Sequence, residues 1–373
     1  MTIHLFDTQA QVREIRAEAA NAMLAVLDSG RYVLGPEVQA FEAEFAEFLG
    51  VDHVVGVANG TDAITLALLA LGVGPGDDVL VPSFTFYASV EAIPHTGAHP
   101  VFCDVDPETF CVTAESVERA LTPATRAVVA VHLFGNVAPV DDVREALAGR
   151  GIAIVEDAAQ AAGARADGRR AGALGDAATF SFFPSKNLFC LGDGGAIATS
   201  REDVAERARE LRFHGSRDKR TYSRIGFNSR LDALQAAVLR ITLRRLDAWN
   251  DARRRLAAAY ADAGLERDVT LPRAAPGIEP VHHLFVTRCD EPDSATAALR
   301  ARAIESRSYY RTPVHAQPAM SRFAPTLELP GTEIAARTNL ALPMAPSYGE
   351  EVASAVTEAL RARARGETAD RSA

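Results

Sequence analysis

The sequence predicts an α/β protein: a mostly parallel sheet forms a large domain, and a smaller α/β domain follows at the C-terminal end. Two observations carry that expectation. Short apolar runs alternate with helical patterns through the first half of the chain. Those runs are apolar on both faces, as in strands covered on both sides by helices. The length, 373 residues, leaves room for two domains.

Taken in order, VVGVA (54–58) is a strand-like run that ends at Asn59-Gly60. Thr61-Asp62 then opens a helical pattern, AITLALLALG, which Gly72 closes. DVLVP (78–82) is the next strand, followed by a helix over Ala88–Ile93. PVFCDV (100–105) and AVVAVHLF (127–134) are further strands. VDDVREALAGRG (140–151) is a helix stopped by glycine, and AIVED (153–157) is a buried strand. ATFSFF (178–183) and AIATS (196–200) flank a glycine-rich turn. From about Leu231 one helical pattern runs to about Ala263 and links the domains. The expected division is residues 1–245, N-terminal segment included, and 246–373. The second unit holds strand VHHLFVTRC (281–289), helix SATAALRARAI (294–304) and a helix from about Glu350. The polar tail GETADRSA (366–373) is expected to fray.

Composition narrows the function. A hydrophobic fraction of 48% and a charged fraction of 24% fit a soluble globular protein. A net charge of -10 argues against nucleic acid as a partner but leaves room for a local cationic pocket. No run reaches the roughly 18 apolar residues of a spanning helix, so no membrane partner is expected. The N-terminus has no basic region followed by an apolar core, so no secretion signal is expected. Cysteines at 103, 111, 190 and 289 form no CxxC pair. They suggest reduced thiols in a cytoplasmic protein, with no disulfide frame and no metal site.

Among 39 lysines and arginines, only Lys186 and Lys219 are lysines. Arginine stays protonated, so chemistry that needs an amine has two candidates. Lys219 sits among charges in HGSRDKR and reads as surface. Lys186 follows a strand, in a turn begun by Pro184-Ser185 and flanked by aromatic and apolar residues. Desolvation there lowers an ammonium pKa and frees the amine. Asp157 ends a strand of a parallel sheet, where ligands gather, and its carboxylate suits a cationic ring nitrogen; the alternative is a helix cap. Gly60-Thr61 lies at a strand-to-helix turn whose free N–H groups suit an anion; the alternative is a plain N-cap. Together a phosphate cup, a carboxylate for a pyridinium nitrogen and an amine for a Schiff base are what pyridoxal phosphate (PLP) requires.

At these residues the chain resembles the DegT/DnrJ/EryC1/StrS family of PLP-dependent sugar aminotransferases, with the fold-type I aminotransferase architecture. The resemblance runs through VANGTDAITLALLALGVGPGDDVLVPSFTFYAS, HLFGNVAPVD, AIVEDAAQAAGA, TFSFFPSKNLFCLGDGGAI and GFNSRLDALQAAVL, about residues 35–240. It implies that Lys186 holds PLP and shuttles the proton, while Asp157 pairs with the pyridine nitrogen. It implies that Phe86 stacks on the ring and that Gln160 lies over its other region or near the phenolic oxygen. Gly60, Thr61 and Ser181 would hold the phosphate. Asn228 would reach it from a neighbouring subunit, which implies a homodimer with shared sites. Relatives often carry Ser at the position of Asn59 and His at that of Gln160. Without the resemblance Phe86 reads as core and Asn228 as a turn residue.

ESRSYYRTPVHAQPAM (305–320) resembles the family segment that contacts the sugar nucleotide, which makes Tyr309, Tyr310 and His315 substrate candidates. Arg311 stands near a position where many relatives have proline, and either meets a diphosphate or solvates a loop. Tyr32 belongs to a segment that often approaches a partner's site. Two motifs are set aside. GVGPG (72–76) follows a helix and precedes a strand, the wrong context for a dinucleotide loop. His95 and His99 have helical spacing, but Pro94 and Gly97 break any helix there.

The activity implied is transfer of an amino group from L-glutamate to a dTDP- or UDP-linked keto-deoxyhexose. It has two half reactions, through the pyridoxamine form (PMP) of the cofactor, and the weak preference is C4 of a dTDP-4-keto-6-deoxyhexose. Alternatives are a 3-keto sugar nucleotide, a keto-cyclitol, or a non-catalytic PLP-binding regulator. A dehydratase branch carries His in place of the lysine, so Lys186 argues against it.

Overall fold

The computed structural model describes residues 2–325 and 327–365, and the tail expected to fray lies outside them. The strands are β1 (His53–Val57), β2 (Asp78–Pro82), β3 (His99–Cys103), β4 (Thr125–Val131), β5 (Ala153–Asp157), β6 (Arg165–Ala166), β7 (Arg169–Arg170), β8 (Ala177–Ser181), β9 (Gly195–Thr199), β10 (Ile278–Glu279), β11 (Phe285–Arg288) and β12 (Asn339–Leu342). Seven form the main sheet, in the order β1-β9-β8-β5-β4-β2-β3. Pairing is parallel from β8 through β5, β4 and β2 to β3, while β9 runs antiparallel to both its neighbours. The sheet is therefore mostly parallel, as expected, with one reversed strand.

Both faces of this sheet are buried, which is why its strands are apolar throughout. On one face lie the helices Gly60–Ala70 and Glu202–Leu211, packed through Ile64, Leu68, Val204 and Ala208. On the other lie Pro36–Leu49, Ala114–Ala120, Val140–Ala146 and Ala233–Leu243, packed through Phe41, Phe45, Val117, Val143 and Leu239. β11 and β12 make a separate antiparallel pair. Tyr260, Phe285, Leu340 and Leu360 form its core with the helices Leu246–Asp262 and Glu350–Ala364. A three-stranded ribbon has the order β10-β6-β7. No helix among the described residues is long and apolar enough to cross a membrane.

Several elements differ from the expectation. The pattern from Leu231 is two helices, Ala233–Leu243 and Leu246–Asp262. The Arg244 and Arg245 side chains at the join both bind Glu18, a tertiary contact that periodicity does not register. Helices Thr8–Ser29, Pro36–Leu49, Ala114–Ala120 and Glu202–Leu211 were not anticipated. Three of them carry legible stop and start signals. Asp7 caps the first through the Ala10 N–H at 3.0 Å, Pro36 opens the second, and Thr113 and Ser116 form a capping box on the third. The strand expected over 281–289 is confined to β11, because the N–H groups of Val281 and Leu284 bond to the Gly135 and Phe134 carbonyls instead of a strand partner.

Candidate active site

The carboxyl ends of β1, β2, β4, β5 and β8 point the same way, and a cavity of about 370 Å³ lies over them. This is where a parallel sheet gathers ligands, since the turns there diverge to leave a crevice. Lys186, Asp157, Gly60, Thr61, Phe86, Gln160, Ser181, Tyr309 and Tyr310 all line it.

Lys186 sits in the connection between β8 and its antiparallel neighbour β9. Its backbone N–H bonds to the Phe183 carbonyl at 2.8 Å, and the Phe182 N–H meets the Gly194 carbonyl at 2.8 Å, which closes the loop. Desolvation pulls the Lys186 ammonium down to about 8, while the Asp157 charge pulls the other way. About a tenth of the amine is thus free at pH 7, far more than an ordinary lysine offers.

Asp157 ends β5 and is only 5% exposed. Ser89 Oγ donates to its Oδ2 at 2.6 Å, and the Ala159 N–H reaches Oδ1 at 3.1 Å. Two donors fix its carboxylate, which lines the cavity. The residue before it, Glu156, points the opposite way into the core. It accepts from His132 Nε2 at 2.8 Å and from the N–H groups of Gly172, Leu174 and Gly175 at 2.6–2.7 Å. Burial alone raises this carboxyl; the His132 and backbone donors outweigh it and hold the group below its ordinary range.

The helix Gly60–Ala70 starts at the cavity wall. Its cap, Asn59, accepts the Asp62 N–H at 2.8 Å. Among the described residues the N–H groups of Gly60 and Thr61 have no hydrogen-bond partner. Ser181 stands against them, so close that a Cβ at Gly60 would lie 2.7 Å from its Cβ. Two unspent N–H groups, a helix N-terminus and a hydroxyl make an anion cradle that glycine alone permits.

Phe86 is 53% exposed although it is aromatic, because its ring forms part of the cavity wall. Gln160 accepts the Phe134 N–H at 2.7 Å and donates to the Tyr310 hydroxyl at 3.3 Å. Tyr310 is half-buried against Phe84, Phe86 and Phe134, and desolvation drives its phenol up.

Family membership is decided by comparison. A model of the DegT/DnrJ/EryC1/StrS aminotransferase family matches residues 13–361. The chain belongs to that family. It is 49% identical over 364 residues to dTDP-3-amino-3,4,6-trideoxy-alpha-D-glucose transaminase of Streptomyces venezuelae, covering 96% of this chain and 95% of the relative. It is 39% identical over 362 residues to a pleiotropic regulatory protein of Geobacillus stearothermophilus, covering 96% and 97%. The structure of S. venezuelae DesV in complex with a ketimine intermediate superposes with a TM-score of 0.94 at 47% identity, covering 99% of this chain and all of that one. The chain is thus an aminotransferase of a PLP-dependent family, with that family's α/β fold. The residues at the cavity fit PLP: the cradle suits its phosphate, Asp157 its ring nitrogen, Phe86 its face and Lys186 its aldehyde.

The remaining candidates lie elsewhere. Arg311 lines an adjoining pocket that shares Thr85, Phe86 and Tyr310 with the cavity and also holds Arg300 and Arg307. Its guanidinium binds Asp293. His315 does not reach the cavity: its Nδ1 meets Ser83 Oγ at 2.6 Å and its ring packs edge-on to Phe102. Asn228 is exposed, outside the cavity of its own chain, and accepts from Arg230. Tyr32 is likewise outside, its hydroxyl donating to the Leu27 carbonyl at 3.2 Å. Sequence reasoning missed Ser89, which lies inside a quoted motif. It also missed Phe6 and His283, which carry no local signal and reach the cavity from segments far from it in sequence.

Proposed function

We propose that this aminotransferase moves an amino group from L-glutamate to the keto carbon of a dTDP- or UDP-linked deoxyhexose. The observation that carries the reading is Lys186: a lysine with its ammonium lowered to about 8, in one cavity with Asp157 and the Gly60–Ser181 cradle. PLP bound there supplies the electron sink for moving the amino group. The chain supplies the rest. The Gly60 and Thr61 N–H groups and Ser181 Oγ hold the phosphate, Asp157 keeps the ring nitrogen protonated, Phe86 covers the ring, and Gln160 orients its edge. Lys186 Nζ takes and returns the proton in both half reactions.

The adjoining pocket supports a sugar nucleotide as acceptor. Arg300, Arg307 and Arg311 with Thr296 and Ser308 give it the cationic, hydroxyl-rich lining a diphosphate needs, next to the lysine cavity. Carbon 3, instead of the C4 preferred from sequence, is the position we favour. Its support is the name of the S. venezuelae relative at 49% identity. Tyr309 and Tyr310 face this acceptor, and His315 acts only by fixing Ser83.

A homodimer gives Asn228 and Tyr32 a role, at the cavity of a second copy. Asn228 follows an exposed stretch that includes Ile225, which is 96% exposed, and Tyr32 lies beside exposed Val33. Complementation tests this. Lys186→Ala and Asn228→Ala should each be impaired, and mixing them under subunit exchange should restore activity through sites that carry both native residues. No recovery despite exchange refutes the shared site.

Visible absorbance of the protein with PLP tests the main reading. Wild type, and not Lys186→Ala, should show the band of a lysine-bound cofactor, and L-glutamate should bleach it. No band in wild type overturns the catalytic reading in favour of a regulator, such as the name of the G. stearothermophilus relative suggests. A band unmoved by glutamate removes glutamate as donor.

A further inference from the structure

A chain of buried amides runs from the core to the cavity beside Lys186. Asn250 Nδ2 donates to the Ala162 carbonyl at 3.0 Å, so its Oδ1 is left as an acceptor. Asn187 Nδ2 donates to that Oδ1 at 2.8 Å and to the Val281 carbonyl at 3.1 Å, so Asn187 Oδ1 is an acceptor in turn. His283 Nδ1 lies 3.1 Å from Asn187 Oδ1. The polarity of the chain therefore puts a proton on His283 Nδ1, and in the neutral imidazole Nε2 keeps its lone pair. Asn187 and Asn250 are 2% and 1% exposed, so no water competes for these positions.

The backbone around His283 is fixed as tightly. A Cβ at Gly135 would lie 2.7 Å from the His283 nitrogen, so only glycine there allows the two segments to meet. The Val281 N–H bonds to the Gly135 carbonyl at 2.9 Å, and Phe6 stacks on the imidazole at 6.4 Å. His283 lines the cavity with Lys186, and among the described residues its Nε2 has no partner. Lys186 Nζ has none either. The other acceptors near the amine already take donors from the protein: Asp157 from Ser89 and Ala159, and Gln160 Oε1 from Phe134.

We propose that His283 is a positioning residue for Lys186, its unpartnered Nε2 the acceptor that an N–H of the free lysine reaches when the lysine side chain turns toward it. The inference rests on Lys186 being the reactive group. A lone pair in a fixed place turns the amine so that its own lone pair faces the cavity, and it steadies the ammonium while Lys186 carries a proton. Burial together with the charges of Lys186 and Arg253 holds the imidazole well below its ordinary pKa, so it stays an acceptor at neutral pH. The other titratable groups facing Lys186 are Asp157, Asp193 and the phenols of Tyr309 and Tyr310.

Two measurements on the full chain without cofactor test it. The first is a long-range proton–nitrogen correlation spectrum of wild type labelled with ¹⁵N-histidine. His283 should be neutral with its proton on Nδ1 near neutral pH, and its Nε2 signal should move as Lys186 titrates. An Nε2-protonated ring or an imidazolium overturns the proposal. The second is competitive acetylation of Lys186 against pH, with Lys219 as internal reference. In wild type the amine should become reactive as pH rises through about 8. A neutral acceptor favours the ammonium, so His283→Phe should lower that midpoint by about one unit. His283→Gln, which keeps an acceptor, should return it toward wild type. Equal midpoints in all three, or a rise in His283→Phe, overturn the proposal. If the variants do not fold, the wild-type spectrum decides alone. The two ideas fail separately: PLP capture by Lys186 with the wrong His283 tautomer sinks only the positioning role. The right tautomer without capture sinks the catalytic reading.

Discussion

The floor of the cavity and its outer rim are built differently. Floor residues hang from strand ends and are held by buried, mutually satisfied donors and acceptors. Asp157 has two donors, and Glu156 beneath it has four. The rim is made by the segment around 305–317, whose arginines reach into solvent. Arg311 is half exposed and meets an aspartate that is more exposed still. The contrast separates two tasks. On the proposed function, chemistry that tolerates little movement would sit where packing fixes it, and acceptor recognition where side chains can change at little cost to the fold.

Substitutions at the two regions should therefore differ in kind. The largest effect expected is at Asp157. Asp157→Ala removes the carboxylate under the ring nitrogen and should lower kcat by about 10²–10³-fold, the usual cost of losing one preorganised electrostatic partner. Rates near wild type would show that the ring nitrogen is held some other way. Next is Glu156→Ala. It strands the His132 Nε2–H and three backbone N–H groups in a dry core, and should lower stability by about 3 kcal/mol or more, at about 1–3 kcal/mol for each unsatisfied buried donor. Thermal unfolding measures it, and a melting temperature within a degree or two of wild type would dissolve the contrast. The smallest effect is at the rim. Arg311→Ala should leave folding and the glutamate half reaction unchanged and raise KM for the sugar nucleotide. If it lowers kcat with glutamate alone, the rim shares the floor's task.

The site was legible where function is written in neighbouring residues. Lys186 stood out because the chain has only one other lysine, and its apolar flanks marked a desolvated turn. Asp157 and Gly60-Thr61 were legible because strand ends and helix starts have sequence signatures. Ser89 was hidden, since a serine in a short helix carries no mark of the carboxylate it meets 68 positions away. His283 was hidden for the same reason. His315 shows the converse: its segment suggested the substrate, and the fold gave it to Ser83.

By itself, then, the sequence determined the mostly parallel sheet, the family and the local parts of the candidate site. Each depends on periodicity, caps or short-range spacing. Tertiary structure alone decided that β9 is reversed and that the pattern from Leu231 breaks at Arg244–Arg245. It also brought Phe6, Ser89 and His283 to the lysine. These outcomes depend on which distant groups satisfy one another's hydrogen bonds and charges once water is gone, and no local window of residues contains that information.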